Sequence, residues 1–306
     1  THMEILPIPP CAPRTKPKAL NFGMEFTHGD IVVVFDAEDV PSPGQPREAM
    51  AAFARAGDNL AVVQAPLSAH NGRSSWIAAQ FALEYAVHFG VWLPFLTRLG
   101  WPMLLGGTSN YIRRSWLERI GGWDPWNVTE DADLGIRLAR AGATAAMIRL
   151  PTMEEAPVRL GDWLSQRTRW LKGHLQTWLV VMRSPLWAMR DLGLGRFIGL
   201  QIILAGSLLA SLLHGPILAW LLLSPLLDGN AMQPPHLVLL GAGYGSVVAA
   251  ALAERRHTAP GTAVLWLPIY WPLQSVAMIR AVWEFGVRPH SWSKTPHGVT
   301  PPSAGA

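Results

Sequence analysis

Five apolar residues in a row, residues 31–35, end abruptly in Asp36, Ala37, Glu38 and Asp39, followed by Val40 and Pro41. An apolar run without alternation predicts a strand covered on both faces, as in a parallel sheet. Beyond it, Ser42 and Pro43 offer an N-cap and a first-turn proline, Met50, Phe53 and Ala54 a helical stripe, and Gly57 a stop. Leu60–Gln64 predicts a second strand, so strand, helix and strand form a βαβ unit in a mainly parallel sheet. Residues 76–95 have a helical aromatic stripe (Trp76, Phe81, Tyr85, Phe89, Trp92), which suits a core or a membrane interface. Thr129 precedes Glu130, Asp131 and Asp133; this pattern predicts a helix start with acids at the positive end of its dipole. Gly142 closes that helix, and residues 144–150 predict another strand.

The pattern then changes character. Residues 197–227 and 237–253 are almost continuously apolar, the first interrupted by His214, Gly215 and Pro216. Both are long enough to cross a bilayer, the second only just. Arg183, Arg190 and Arg196 precede the pair and Arg255 and Arg256 follow it, while residues 228–236 between them have neither Lys nor Arg. The positive-inside rule places both outer ends in the cytoplasm. A third stretch, residues 263–285, contains Pro268, Pro272, Gln274, Arg280 and Glu284 among Trp266, Tyr270, Trp271 and Trp283, and reads as lying at the interface. The chain therefore divides into an α/β part (1–160), interfacial helices (161–196), two spans (197–256) and an interfacial helix with a polar tail (257–306).

Composition agrees. Half of the 306 residues are hydrophobic and 15% are charged, against about 25% charged in ordinary soluble domains. Mean hydropathy is +0.19, and 15 tryptophans are available for interfacial belts. A single cysteine, Cys11, rules out an intrachain disulfide. Net charge is only +4, and no Lys/Arg run is interleaved with aromatics, which argues against a nucleic-acid partner.

The candidate chemistry sits at the ends of these elements. In open α/β sheets, ligands bind beyond the carboxyl ends of the strands. Asp36 and Glu38 stand there, near enough to share one Mg²⁺ or Mn²⁺; the alternative is a solvated acidic turn. Residues 14–18 are basic and precede a short helical segment, suited to phosphate or simply to water. Residues 106–111 (Gly, Gly, Thr, Ser, Asn, Tyr) suit a sugar-contacting loop or a plain turn. Gln166, Arg169 and Trp170 share one helix face. Amide, guanidinium and indole suit a ligand with both phosphate and sugar, or a basic face resting on anionic lipid.

Taken in order, Lys16 to Asn21, Asp36 to Pro41, Thr129-Glu130-Asp131 and Gln166-Arg167-Thr168-Arg169-Trp170 resemble the membrane-embedded family 2 glycosyltransferases of the cellulose-synthase-like, processive exopolysaccharide synthase group. The tail from Trp292 to Gly298 resembles that group's gating loop. The resemblance implies a partial GT-A-type (Rossmann-like) catalytic domain and inverting transfer from a nucleotide-diphosphate sugar, a UDP-sugar, to a growing glycan at the cytoplasmic face of a bacterial inner membrane. In that scheme Asp131 is the general base, and Asp36 and Glu38 hold Mg²⁺ or Mn²⁺ on the diphosphate. Arg169 binds the diphosphate, Trp170 stacks under the acceptor sugar, and Gln166 orients it. Lys16 contacts the nucleotide, Glu130 belongs to the same substrate site, and Trp292, Lys294, Thr295 and His297 close over it. Membrane lipid is a further implied partner. Two departures stand out. Glu38 occupies a position usually held by Asp, and the group's Asp-Asp-Gly strand-loop, which binds the base, is not found upstream of Lys16. The chain is therefore expected to be an internal or truncated piece with little transfer on its own. The competing expectations are a membrane assembly subunit that keeps the fold, and an aspartyl-nucleophile phosphohydrolase, for which Glu38 is the wrong residue.

Overall fold

The computed structural model describes residues 3–228, 233–253 and 261–289. Trp292, Lys294, Thr295 and His297 lie outside the described residues, as do Arg255 and Arg256. The elements run α1 (Lys16–Met24), β1 (Ile31–Val34), β2 (Val40–Pro41), α2 (Gln45–Ala56), β3 (Leu60–Gln64), β4 (Leu67–Ala69) and α3 (Trp76–Val87). A π-helical turn (His88–Trp92) leads into α4 (Leu93–Leu99), followed by β5 (Asn110–Arg113), α5 (Arg114–Arg119), α6 (Glu130–Arg140), β6 (Thr144–Met147) and β7 (Thr152–Glu154). The rest is helical: α7 (Leu160–Val181), α8 (Pro185–Leu192), α9 (Leu194–Leu200), a second π-helical turn (Gln201–Gly206), α10 (Ser207–Asp228), α11 (Pro234–Ala253) and α12 (Leu267–Val287).

The main sheet has the order β1-β5-β3-β6. β3 and β6 pair in parallel, but β5 runs antiparallel to both β1 and β3. Three of the four strands thus point the same way, while the expected mainly parallel pairing gives way to a mixed sheet because β5 inserts between β1 and β3. That insertion also moves β1 to the sheet edge, where Val33 is 40% exposed. The covering on both faces expected for this run belongs instead to β3, all five of whose residues are buried. A smaller sheet, β2-β7-β4, lies beside the acidic turn. The core fills the space between the main sheet and α4 and α6, around Val62, Ile112, Leu117, Leu134 and Ile136.

Two expected caps are replaced. Helix α2 starts at Gln45 after Gly44, and the Ser42 hydroxyl donates to Pro151 O at 2.6 Å instead. Thr129 precedes α6 as expected, but its N–H donates to Asn127 Oδ1 at 3.0 Å rather than its hydroxyl capping the helix. Among the described residues, three helical stretches are long and apolar enough to cross a membrane: Leu194–Ser224, Pro234–Ala253 and Gly261–Val287. The third is not isolated. Its helix, α12, is tied to α7 near both ends, where Trp163 Nε1 donates to the Tyr270 hydroxyl at 2.8 Å and Lys172 Nζ to Glu284 Oε2 at 3.4 Å.

Candidate active site

Strand β1 delivers Asp36 to the mouth of the sheet, and at the start of α1 Lys16 Nζ pairs with Asp36 Oδ1 and donates to Gly107 O at 2.7 Å. Asp39 shapes the turn between them. Its Oδ2 accepts from the Asp36 N–H at 2.8 Å and from the Thr108 hydroxyl, curling the acidic segment back on itself. Burial pushes the Asp39 carboxyl up, against its hydrogen bonds from Thr108 and Asp36 N–H. Glu38 remains exposed on the outer side of the turn.

The residue that faces this turn comes from the start of α6. A Cβ built on Gly107 would stand 3.3 Å from Asp131 Oδ2, so the glycine allows the carboxylate to reach the Lys16 end of the site. Asp131 Oδ1 accepts its neighbour's N–H, from Ala132, at 2.8 Å. Burial raises the Asp131 carboxyl above its ordinary range, opposed by that N–H, Lys16 and Arg169. Glu130 is raised too, to about 8, by burial and then by the Asp131 charge. Burial alone would lower the Lys16 ammonium, but Asp36, Glu130 and Asp131 outweigh it and hold the group above its usual value. Burial depresses the Arg169 guanidinium, against the pull of Glu130, Asp131 and Asp36. Lys16, Asp36, Glu130, Asp131 and Arg169 therefore share one electrostatic neighbourhood, although four separate elements supply them.

Helix α7 brings Arg169 there because residues four apart share a face. Gly173 packs directly on Thr129, and Thr177 accepts from Asn127 Nδ2 at 2.9 Å, so the 169–173–177 stripe lies on the start of α6. Trp170 is half-buried, its ring centroid 6.1 Å from that of Phe81. Gln166 is 6% exposed, and its Oε1 has no hydrogen-bond partner among the described residues.

The glycine loop differs from its sugar-contacting reading. Thr108, Ser109 and Asn110 are all buried, and most of their polar groups are turned into the protein: Ser109 Oγ donates to Thr152 Oγ1 at 2.6 Å and Asn110 Nδ2 to Gly106 O at 2.6 Å, while Asn110 Oδ1 has no hydrogen-bond partner among the described residues. Ser109 adopts a left-handed φ of 59°, which turns the loop into β5. Sequence reading also passed over Glu154. The β2–β7 register pairs Val40 with Met153 and so brings Glu154 to the level of Asp39. Burial, and then the Asp39 charge, push its carboxyl up to about 8, while a hydrogen bond from the Tyr85 hydroxyl opposes this. No short motif marks such a residue; only the pairing of two very short strands does.

The donor set at the strand end suits a hard cation. Asp36 and Glu38 offer carboxylate oxygen two residues apart, and Asp39 Oδ1 beside them is buried without a partner. Among the described residues no three His, Cys, Asp or Glu side chains gather into a metal-binding group. One or two protein carboxylates completed by substrate phosphates is the usual pattern for Mg²⁺.

Residues 31–271 match the family described as glycosyl transferase family group 2. The chain belongs to this family. Among its relatives, the probable glycosyltransferase YdaM of Bacillus subtilis (strain 168) is 29% identical over 177 residues, which is 54% of this chain and 40% of that protein. Beta-monoglucosyldiacylglycerol synthase of Synechocystis sp. is 28% identical over 204 residues, 65% of this chain and 42% of the relative. Cellulose synthase 1 catalytic subunit (UDP-forming) of Komagataeibacter xylinus is 26% identical over 166 residues, 53% and 22% respectively. This glycosyltransferase chain thus spans less than half the length of these curated relatives. The mannosyltransferase PcManGT of Pyrobaculum calidifontis, solved with GDP-Man and Mn²⁺, aligns at a TM-score of 0.49 and 19% identity, over 89% of this chain and 66% of that one.

Proposed function

We propose that this glycosyltransferase carries out inverting transfer of a sugar from a UDP-sugar to a glycan acceptor at the cytoplasmic face of a bacterial inner membrane. The observation that carries the reading is the convergence of Lys16, Asp36, Glu130, Asp131 and Arg169 on one side of the glycine loop. Asp131 accepts the proton of the attacking acceptor hydroxyl, and its raised carboxyl makes it a better base than an ordinary aspartate. Asp36 and Glu38 would hold Mg²⁺ or Mn²⁺, which offsets charge on the leaving diphosphate. Arg169 and Lys16 stabilise the same charge from the protein side. Beside Asp131, burial and then the neighbouring charge push the Glu130 carboxyl up to about 8. Trp170 offers its ring to the acceptor sugar, and Gln166, with its unpaired Oε1, orients it.

Helix packing supports the membrane arrangement. Helix α12 follows α7, and α7 carries Asp162, Arg167, Arg169 and Lys172, so it is too charged to enter hydrocarbon. With α12 held on α7 near both ends, as well as on α10 through Ser275 Oγ to Ser211 O at 2.6 Å, we read α12 as interfacial and 197–227 and 237–253 as the two crossings. Exposed Leu186 and Trp187 on α8, with the Arg190 guanidinium 5.2 Å from the Trp187 ring centroid, offer a further apolar and basic surface suited to a membrane interface.

The test is nucleoside-diphosphate release in native membranes from UDP-glucose and UDP-N-acetylglucosamine, for the wild type and Asp131→Asn. Loss of about 10²-fold or more is expected for the variant. Wild-type rates in Asp131→Asn would overturn the assignment.

A further inference from the structure

Behind Trp170 lies a polar cluster that the transfer chemistry does not use. Glu84, near the end of α3, receives three side chains from two other helices. Arg167 Nη2 of α7 donates to Glu84 Oε2, the Tyr270 hydroxyl of α12 donates to the same oxygen at 2.9 Å, and Gln274 Nε2 of α12 donates to Oε1 at 2.9 Å. The side chains of Arg167 and Glu84 are 14% and 24% exposed, so this is a mostly buried ion pair.

Arg167 does more than neutralise Glu84. Its guanidinium carbon lies 4.8 Å from the Trp170 ring centroid and 5.5 Å from that of Trp163. Phe81, also on α3, packs against the Trp170 indole with the planes at 43°. Trp163 is itself held, donating through Nε1 to Tyr270. The contacts thus form a chain: α12 fixes Glu84, Glu84 fixes Arg167, and Arg167 with Phe81 fixes Trp170.

Buried ion pairs contribute little net stability compared with well-packed apolar side chains, because desolvation offsets the attraction. A plain need to bind α12 to α7 would be met by the apolar contacts of Leu171, Met278 and Ala281. A planar cation stacked on an indole adds geometric definition that Leu or Met would not. Trp170 is half-exposed and has two rotatable bonds, so without a clamp it samples several orientations.

We propose that Glu84 is a positioning residue for the acceptor platform: through Arg167 it sets the plane of the Trp170 indole, and through Tyr270 and Gln274 it makes that plane depend on α12 being seated. The purpose of the arrangement rests on reading Trp170 as the surface that receives the acceptor sugar. A shift of α12 then loosens the platform without touching Asp36 or Asp131.

The full chain labelled with 5-fluorotryptophan in lipid nanodiscs provides the test. The Trp170 fluorine resonance is assigned by its loss in Trp170→Phe. In Glu84→Gln this resonance should shift and broaden, while that of Trp123, buried in the main core, stays in place. Tyr270→Phe should move it in the same direction by less. Glu84→Gln leaves Arg167 buried without its carboxylate, so the double variant Glu84→Gln/Arg167→Gln, which removes both charges, guards against simple misfolding and should still show the shift. Arg167→Lys keeps the ion pair but loses the stacked plane, and is expected to shift the resonance as well. An unmoved Trp170 signal in Glu84→Gln and Arg167→Lys would overturn the proposal, as would an equal displacement of every tryptophan signal. In native membranes Glu84→Gln should lower transfer roughly tenfold to a hundredfold, through a misplaced acceptor, with nucleoside-diphosphate affinity unchanged; unaltered transfer would overturn the link to the acceptor. Since the resonance is read without substrate, a failure of the Asp131 test would remove the transferase reading and leave the hold of Glu84 on Trp170 measured separately.

Discussion

Gly173 packs its bare Cα against Thr129: a Cβ at Gly173 would lie 2.3 Å from Thr129 Oγ1 and 2.5 Å from its methyl carbon. No side chain fits that gap, and Thr129 is itself 5% exposed, with little room to withdraw. Since Arg169 lies one helical turn before Gly173, the close approach is what sets the guanidinium beside Glu130 and Asp131. Gly173→Ala should therefore separate α7 from α6. The overpacking should destabilise the protein by about 1–3 kcal/mol. Transfer should fall by more than the loss of folded protein explains. Thermal unfolding and transfer rates measured together in one preparation check this, and a variant with wild-type activity would show that Arg169 does not depend on the contact.

Lys16 answers three carboxylates at once, which makes its removal informative. Lys16→Met keeps the length of the side chain but leaves Asp36, Glu130 and Asp131 with Arg169 alone of the two cations they share. The Asp131 carboxyl should then rise further, since Lys16 is one of the charges that lowers it. The expected outcome is an acidic limb of the transfer pH profile displaced to higher pH, together with weaker nucleoside-diphosphate binding by about tenfold, in line with the loss of one charge-assisted contact. Transfer measured across pH, and binding of UDP by calorimetry, are the two readings.

Much of this site was legible in the sequence because its pieces end regular elements. The acidic strand end, the Glu130–Asp131 helix start and the 166–170 face each follow from local periodicity and dipole chemistry. What escaped depended on pairing. Strand β5 has only four residues, Asn110 to Arg113, two of them polar, and its central place comes from β1 and β3 flanking it rather than from its own pattern. Once β5 is inserted, β1 becomes an edge strand, so an apolar run that looks doubly covered is not. Glu154 was hidden for the same reason: β7 is three residues long, and only its register against β2 brings the carboxyl level with Asp39. Asp39, the third carboxylate of the run, is turned inward by its hydrogen bonds as the residue that shapes the turn, which no local pattern signals.

The Glu130 carboxyl gives a pH signature of stability. Its ordinary value of 4.5 rises to about 8 in the folded protein, mainly through burial and then through Asp131. Between these values the folded state holds a proton that the unfolded state has released. Stability therefore falls as pH rises through this window and levels off above it. Glu130→Gln is neutral throughout and should make that slope shallower, with Glu154, also raised to about 8, keeping part of it. Denaturant unfolding at pH 5 and pH 8 decides the matter: the wild type should lose stability between the two, and the variant should lose clearly less.

The two halves of the Lys172–Glu284 pair should respond unequally to substitution. Lys172 is 1% exposed on α7, one turn beyond Thr168, and its ammonium faces Glu284 Oε2 and Arg288 O, each at 3.4 Å, at the end of α12. Glu284 has a second cation, Arg280, at 3.0 Å. Lys172→Met removes the buried charge, fills the same volume and leaves Glu284 paired, so stability should stay within about 1 kcal/mol of wild type. Glu284→Gln keeps the buried ammonium but takes away the carboxylate facing it, and should cost about 3 kcal/mol, as is typical when one partner of a buried pair is removed. Unfolding of the two variants side by side checks the asymmetry. Equal losses would mean that the pair acts as a net stabilising bridge, whereas unequal losses in the stated order mean that α12 is seated on α7 mainly by apolar packing, with the ion pair setting where along α7 its end comes to rest.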